Sequence, residues 1–264
     1  MKLAVSGKGG TGKSTISGLL SHYFSKAGYK VLAIDSDPDS NLASAIGIPQ
    51  EDIKKIIPIA EERLLIKERT GANPNEFGQM FKINPTVADI PDKYSHTYKG
   101  IKVLVLGAVR AGGSGCACPE NVLLKSLLAD IILNRDEIVI VDMEAGIEHL
   151  GRGSSKSVDL MLIVVEPGSR SIDTANNIIK LATEIGVLKF GIIANKISNT
   201  EQLEWIKSQF PQNIFLGAIS TSEIIARSDF LQKPLIDIMD DKLKKEFNEI
   251  YSRILKDSST RPLL

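Results

Sequence analysis

Residues 2–18, KLAVSGKGGTGKSTISG, decide the fold. The run begins with an apolar stretch of strand length, KLAVS (2–6), and glycine then fills four of the next six positions, 7, 9, 10 and 12. Gly7 to Ser14 fit the pattern glycine, four residues, Gly-Lys-Ser, which cradles phosphate when it lies between a strand and a helix. Glycines let the backbone bend until successive N–H groups face one point, and the helix that follows adds the positive end of its dipole. Lys13 then reaches the β- and γ-phosphates and Ser14 offers a hydroxyl to Mg²⁺. The loop residues Gly9, Gly10, Thr11, Gly12, Lys13, Ser14 and Thr15 are therefore assigned to a bound nucleotide.

Outward from this loop, apolar β-branched runs alternate with helical patterns. Strands are predicted at 2–6, 31–35, 101–107, 138–142, 159–165, 188–194 and 214–219, and helices at 13–27, 119–134, 171–185, 200–209 and 236–256. Most of the strand runs lack polar/apolar alternation, as in strands buried on both faces of a parallel sheet. Such alternation predicts an α/β fold: a doubly wound, mostly parallel sheet of about seven or eight strands, with ligands at the carboxyl ends of the strands. The irregular, charged tract 47–100 is expected to be an insertion over the active face, with one helix from Ile59 to Glu68, inside a single domain spanning 1–264.

Composition narrows the partners. Lys+Arg and Asp+Glu number 32 each, so the net charge is zero. A chain without a basic field has no bulk attraction for nucleic acid. No apolar run reaches the length of a membrane span. In the C-terminal pattern, Leu243, Phe247, Ile250 and Ile254 recur at helical spacing, which suits a helix packed on the sheet better than one lying on a membrane. The start, MKLAVSGKGG, lacks the apolar core of a signal peptide, and two cysteines do not make a disulfide framework; the expected compartment is the cytoplasm.

Lysine at the second loop position, giving KGGTGKS (8–14), resembles the deviant Walker A ATPases, which include the MinD and ParA positioning proteins and the nitrogenase iron protein. The resemblance implies that Lys8 contacts phosphates of a partner subunit and that nucleotide favours a homodimer. A second ammonium there stabilises charge developing on the phosphate oxygens. In the same family the aspartate of IDSDPDSN (34–41) that precedes proline, Asp37, positions the attacking water, while Asp35 takes a structural part beside the loop. Asp142, ending IVIVD (138–142), resembles the Walker B carboxylate that holds Mg²⁺ through water, and Gly146 the glycine whose N–H senses the γ-phosphate. Asn195 resembles the residue that bonds the adenine edge. Guanine specificity wants an aspartate where Ser198 stands, so ATP is expected.

Both cysteines lie in AGGSGCACP (111–119). Pro119 and Glu120 mark a helix start, which places Cys118 at a helix N-terminus where the dipole favours thiolate. Two thiolates are too few for a tetrahedral metal, and His22, His96 and His149 have no local spacing to the pair. In a two-fold dimer, Cys116 and Cys118 of each chain would supply four thiolates on the axis. Zn²⁺, Ni²⁺ and an iron–sulfur cluster all remain open for such a set.

KGGTGKS, DSDPDSN, LIKERTG, the glycine-rich Cys-x-Cys and DMEAGIEHLGR together resemble the CooC-type ATPases, nickel-insertion factors for carbon monoxide dehydrogenase and the related acetyl-CoA synthase. The resemblance implies a homodimer that binds Ni²⁺, or Zn²⁺ in isolation, through the paired Cys-x-Cys motifs. It also implies ATP and Mg²⁺ as ligands and an apo carbon monoxide dehydrogenase or acetyl-CoA synthase as client. The competing readings are a positioning ATPase and an iron–sulfur electron donor. The donor family uses two cysteines far apart in sequence, unlike the pair here.

Overall fold

The computed structural model describes residues 1–74, 76, 78–107, 118–144, 157–231 and 233–258. Its centre is one eight-stranded sheet: β1 (Lys2–Ser6), β2 (Val31–Ser36), β3 (His96–Tyr98), β4 (Ile101–Val105), β5 (Ile138–Met143), β6 (Leu160–Val165), β7 (Phe190–Ile197) and β8 (Phe215–Ser220). The spatial order is β3-β4-β2-β5-β1-β6-β7-β8, and every neighbouring pair is parallel except β3 with β4.

The helices are α1 (Lys13–Lys26), α2 (Leu42–Ile46), α3 (Gln50–Ile53), α4 (Arg63–Thr70), α5 (Ile90–Tyr94), α6 (Pro119–Asn134), α7 (Ser169–Ile185), α8 (Thr200–Ser208), α9 (Glu223–Leu231), α10 (Leu235–Ile238) and α11 (Asp241–Ser258). They cover both faces, which explains why the strands lack alternation. In β5, Val139, Val141 and Met143 join the cluster containing α6 and α7, whereas Ile138 and Ile140 join that containing α1 and α11. β6 divides the same way, Met161, Ile163 and Val165 against Leu160, Leu162 and Val164. Successive side chains of a strand leave on opposite faces, so a strand covered twice must be apolar throughout.

Leu243, Phe247, Ile250 and Ile254 of α11 are buried together on the α1 side, so the C-terminal apolar stripe packs on the sheet. No helix among the described residues is long and apolar enough to cross a membrane.

Besides α2, α3, α5 and α9, where no helix was expected, three elements differ from the expectation. The helix expected at 59–68 is a short 3₁₀ turn, Ile59–Glu61, followed by α4, because Glu62 leaves helical geometry at ψ 73° between them. The helix expected at 236–256 is divided into α10 and α11; Asp240 accepts a hydrogen bond from the N–H of Leu243 at 2.8 Å, a side-chain cap that starts a new helix. β3 was not foreseen. It forms a hairpin with β4 through Lys99 and Gly100, both at positive φ (46° and 80°), the geometry of a two-residue turn whose twist matches the strands.

The tract 47–100 contributes to both cores. Ile48 lies in the cluster on the α1 side, and Ile59, Leu65, Ile66, Val87 and Ile90 lie in the one on the α6 side. The N–H of Ala60 donates to the carbonyl of Leu106 at 2.9 Å, which ties the 3₁₀ turn to the end of β4.

Candidate nucleotide site

The carboxyl ends of β1, β2, β5, β6 and β7 meet at the loop between β1 and α1. Gly12 holds φ 97° immediately before α1, and a Cβ on it would strike the side-chain nitrogen of Asn195. Only glycine fits that position in both respects. Thr11 is fully buried; its hydroxyl donates to the carbonyl of Lys8 at 2.9 Å, so it braces the loop from inside. Gly9 and Gly10 are exposed, and Ser14 and Thr15 are half-buried in the first turn of α1.

Lys13 is buried, with Nζ 3.7 Å from the Asp37 carboxylate. Asp37 is half-buried beyond the end of β2, and its Oδ1 accepts the N–H of Asp39 at 3.0 Å. Asp35 is fully buried and organises the turn: its two oxygens accept the N–H groups of Asp37 (3.2 Å) and Leu42 (3.0 Å). Asp35 and Asp142 are direct neighbours in the β2–β5 register. Burial pushes both carboxyls well above the ordinary aspartate range. Asp35 is raised further by the charge of Asp142, and Asp142 by that of Asp37, while Ser14, Ser17 and Lys13 pull Asp142 back. Asp142 Oδ1 accepts from Ser17 Oγ at 3.0 Å, but Oδ2 is buried without a hydrogen-bond partner.

The far side of the loop is clamped by β7. Asn195 is buried; its Nδ2 donates to the carbonyl of Thr11 at 2.8 Å and its Oδ1 accepts from the N–H of Lys196 at 2.9 Å. Lys196 sits at φ 59°, a left-handed geometry unusual for lysine, and its Nζ donates to the carbonyl of Gly10 at 2.6 Å. Beyond it a cleft of about 400 Å³ opens between the ends of β7 and β8, lined by Ser198, Asn199, Ser220 and Thr221 among others. Ser198 and Thr221 share a hydroxyl–hydroxyl bond of 3.1 Å there.

Sequence and structure comparisons agree with this arrangement. The model of the CobQ/CobB/MinD/ParA nucleotide binding domain matches residues 2–235. The carbon monoxide dehydrogenase accessory protein CooC of Rhodospirillum rubrum is 47% identical over 229 residues, 87% of each chain. An uncharacterized ATP-binding protein of Methanocaldococcus jannaschii is 44% identical over 98% of this chain and 100% of that protein. This chain belongs to that nucleotide-binding family, as a CooC-type ATPase. In fold, the ATPase is similar to the MinD cell division protein of Aquifex aeolicus, with a TM-score of 0.65 at 20% identity over 97% of this chain and 98% of that one.

The site of the ATPase fits Mg²⁺ bound with nucleotide. Among the described residues no cluster of three or more His, Cys, Asp or Glu forms a protein-only metal cage. Mg²⁺ needs none, because it binds through one or two carboxylates or hydroxyls, waters and the phosphates themselves. The buried, unpartnered Oδ2 of Asp142, close to Ser14, supplies that donor set.

Of the cysteine pair, Cys118 is half-buried at the N-cap of α6 with extended backbone (φ −102°, ψ 153°), its carbonyl accepting the N–H of Val122 at 3.1 Å. Pro119 is the first residue of the helix, as its position in the sequence implies. Cys116, Gly146 and His149 lie outside the described residues. Two charged residues at the site went unassigned from sequence: Glu166, just after β6, and Lys196. The only signal for Lys196 was its place next to Asn195.

Proposed function

We propose that the chain works as a homodimeric metallochaperone, an ATPase that carries Ni²⁺, or Zn²⁺ in isolation, between Cys116 and Cys118 of two subunits. Its client is an apo carbon monoxide dehydrogenase or acetyl-CoA synthase. The observation that carries this reading is the 47% identity over 87% of the chain to an accessory protein of carbon monoxide dehydrogenase. The Cys-x-Cys at the start of α6 supports it, since the helix dipole lowers a thiol pKa and soft thiolates suit Ni²⁺ and Zn²⁺.

In this reading the loop N–H groups and Lys13 bind the β- and γ-phosphates, and Ser14 and Asp142 hold Mg²⁺, which neutralises phosphate charge. Gly146, which resembles the family's switch glycine, senses the γ-phosphate through its N–H. Lys8 extends to the partner's nucleotide, and Asp37 orients the water. That water attacks the γ-phosphorus in line while the bond to the β–γ bridging oxygen breaks, giving ADP and phosphate. Asn195, whose amide also braces the carbonyl of Thr11, bonds the adenine edge of ATP. Because metal and nucleotide prefer the same dimer, each tightens the other equally.

Titration of the purified protein with Ni²⁺ and Zn²⁺, with dimer mass recorded, tests the shared site. One metal per dimer is expected, lost together with metal-induced dimerisation in Cys116→Ala and Cys118→Ala. One metal per monomer, unaffected by either substitution, would overturn it.

A further inference from the structure

Glu166 holds two lysines of the site at once. Its Oε1 lies 3.3 Å from Lys8 Nζ and its Oε2 3.0 Å from Lys196 Nζ. The backbone that carries this carboxylate is anchored. Its N–H donates to Ser171 Oγ at 3.1 Å, Ser171 is buried in the first turn of α7, and Pro167 follows directly. Lys196 is fixed in turn by the carbonyl of Gly10 at 2.6 Å and by its own left-handed backbone. Partial burial alone would push the Glu166 carboxyl up, yet the ammonium groups of Lys196 and Lys8 hold it below the usual glutamate range. Of the three side chains, Lys8 alone has no second anchor among its described contacts. It is the partner free to leave.

An ammonium paired with Glu166 of its own chain is not on a phosphate. We propose that Glu166 is a positioning residue that gives Lys8 its resting place within its own subunit and competes with nucleotide phosphate for that lysine. Lys196 keeps the carboxylate in place when Lys8 departs. The inference rests on the ATPase reading above and adds a threshold to it: triphosphate must outbid an internal anion before Lys8 can serve a nucleotide. The competition is modest, because a part-exposed ion pair shifts an equilibrium only slightly. It therefore tunes the response to triphosphate without blocking it.

The test is a double-mutant cycle on affinity for a fluorescent ATP analogue with Mg²⁺, using the full chain, Glu166→Gln, Lys8→Ala and the double variant. Glu166→Gln is expected to tighten binding about twofold to fivefold, the size of one such pair, and to do nothing once Lys8 is alanine. Equal tightening in both backgrounds would mean that Glu166 merely repels phosphate through its charge, and would overturn the proposal. So would weaker binding in Glu166→Gln, which would make the residue a brace of the loop. Glu166→Asp keeps the charge but withdraws the carboxylate by one methylene. It should behave like Glu166→Gln if contact with Lys8 matters, and wild-type behaviour would count against the contact. A wild-type chain that binds no triphosphate sinks the ATPase reading and the proposal together, whereas binding with a null cycle sinks the proposal alone.

Discussion

The two ends of the sheet treat their carboxylates in opposite ways. At the carboxyl ends of β2 and β5, Asp35 and Asp142 are buried side by side, pushed up in pKa, and one oxygen of Asp142 lacks any hydrogen bond. At the other end Asp92 and Glu137 are satisfied several times over. Arg135 reaches Asp92 through Nη1 and Nη2 (2.8 and 2.9 Å) and Glu137 through Nε and the same Nη2 (2.7 and 3.0 Å), and Lys102 adds 2.6 Å to Asp92. Lys2 closes the cluster by donating to the backbone carbonyl of Arg135. These cations hold Asp92 and Glu137 below the usual carboxylate range. Charges that are paired and hydrogen-bonded tie α5 and β4 to the start of β5, whereas the buried Asp142 oxygen without a hydrogen bond is held for a ligand. One end is built for stability and the other for binding at some cost to stability.

The largest effect should come from Lys13→Ala, which removes a donor aimed at the phosphates: hydrolysis measured by phosphate release is expected to fall about 10²–10³-fold. Next, Asp142→Asn should abolish Mg²⁺-dependent nucleotide binding and yet stabilise the nucleotide-free protein by about 1–2 kcal/mol near neutrality, since a charged buried group is removed. Urea unfolding without Mg²⁺ reads the sign. A loss of stability would mean that the carboxylate is structurally satisfied after all.

Arg135→Ala should show the reverse pattern. It leaves Glu137, whose side chain is 14% exposed, without its main cation, and a loss of about 1–3 kcal/mol is expected with hydrolysis within about twofold of wild type. A large loss of activity would mean that the two ends are coupled through the strands.

The smallest and most diagnostic effect is on pH dependence. Asp92 and Glu137 have depressed folded-state pKa values, so their contribution is present above the ordinary carboxylate range and is lost as pH falls through and below it. Asp35 and Asp142 have raised values, so between that range and neutrality the native state binds more protons than the unfolded chain. Their sites therefore lose stability as pH rises. Without ligand, the melting temperature is expected to peak in mildly acidic buffer, and the increment added by Mg²⁺ and ATP should grow from pH ~5 to ~7.5. An increment that is flat or falls with pH would place Mg²⁺ elsewhere.

Much of this was legible in the chain because the signals are local. KGGTGKS is one loop with its strand and helix on either side, so its placement needed no tertiary information. The apolar runs gave seven of the strands because a doubly covered strand must be apolar on both faces. β3 escaped because three edge residues, His-Thr-Tyr, carry no such pattern, and the Lys-Gly turn is not among the strongest hairpin signals. The break between α10 and α11 escaped because apolar spacing continues across it, while the stop is a side-chain cap.

The sequence by itself determined the phosphate loop, the acids that end β2 and β5, and the family, since each is a run of neighbouring residues whose chemistry follows from type and spacing. Only the tertiary structure decided which charges meet. Asp35 stands beside Asp142 through strand register, and Lys8 finds Glu166 and Lys196 because β1, β6 and β7 end at one edge in neighbouring positions. The physical reason is distance along the chain: the Lys8–Glu166 contact spans 158 residues, and no local pattern encodes which distant strand ends at the same place.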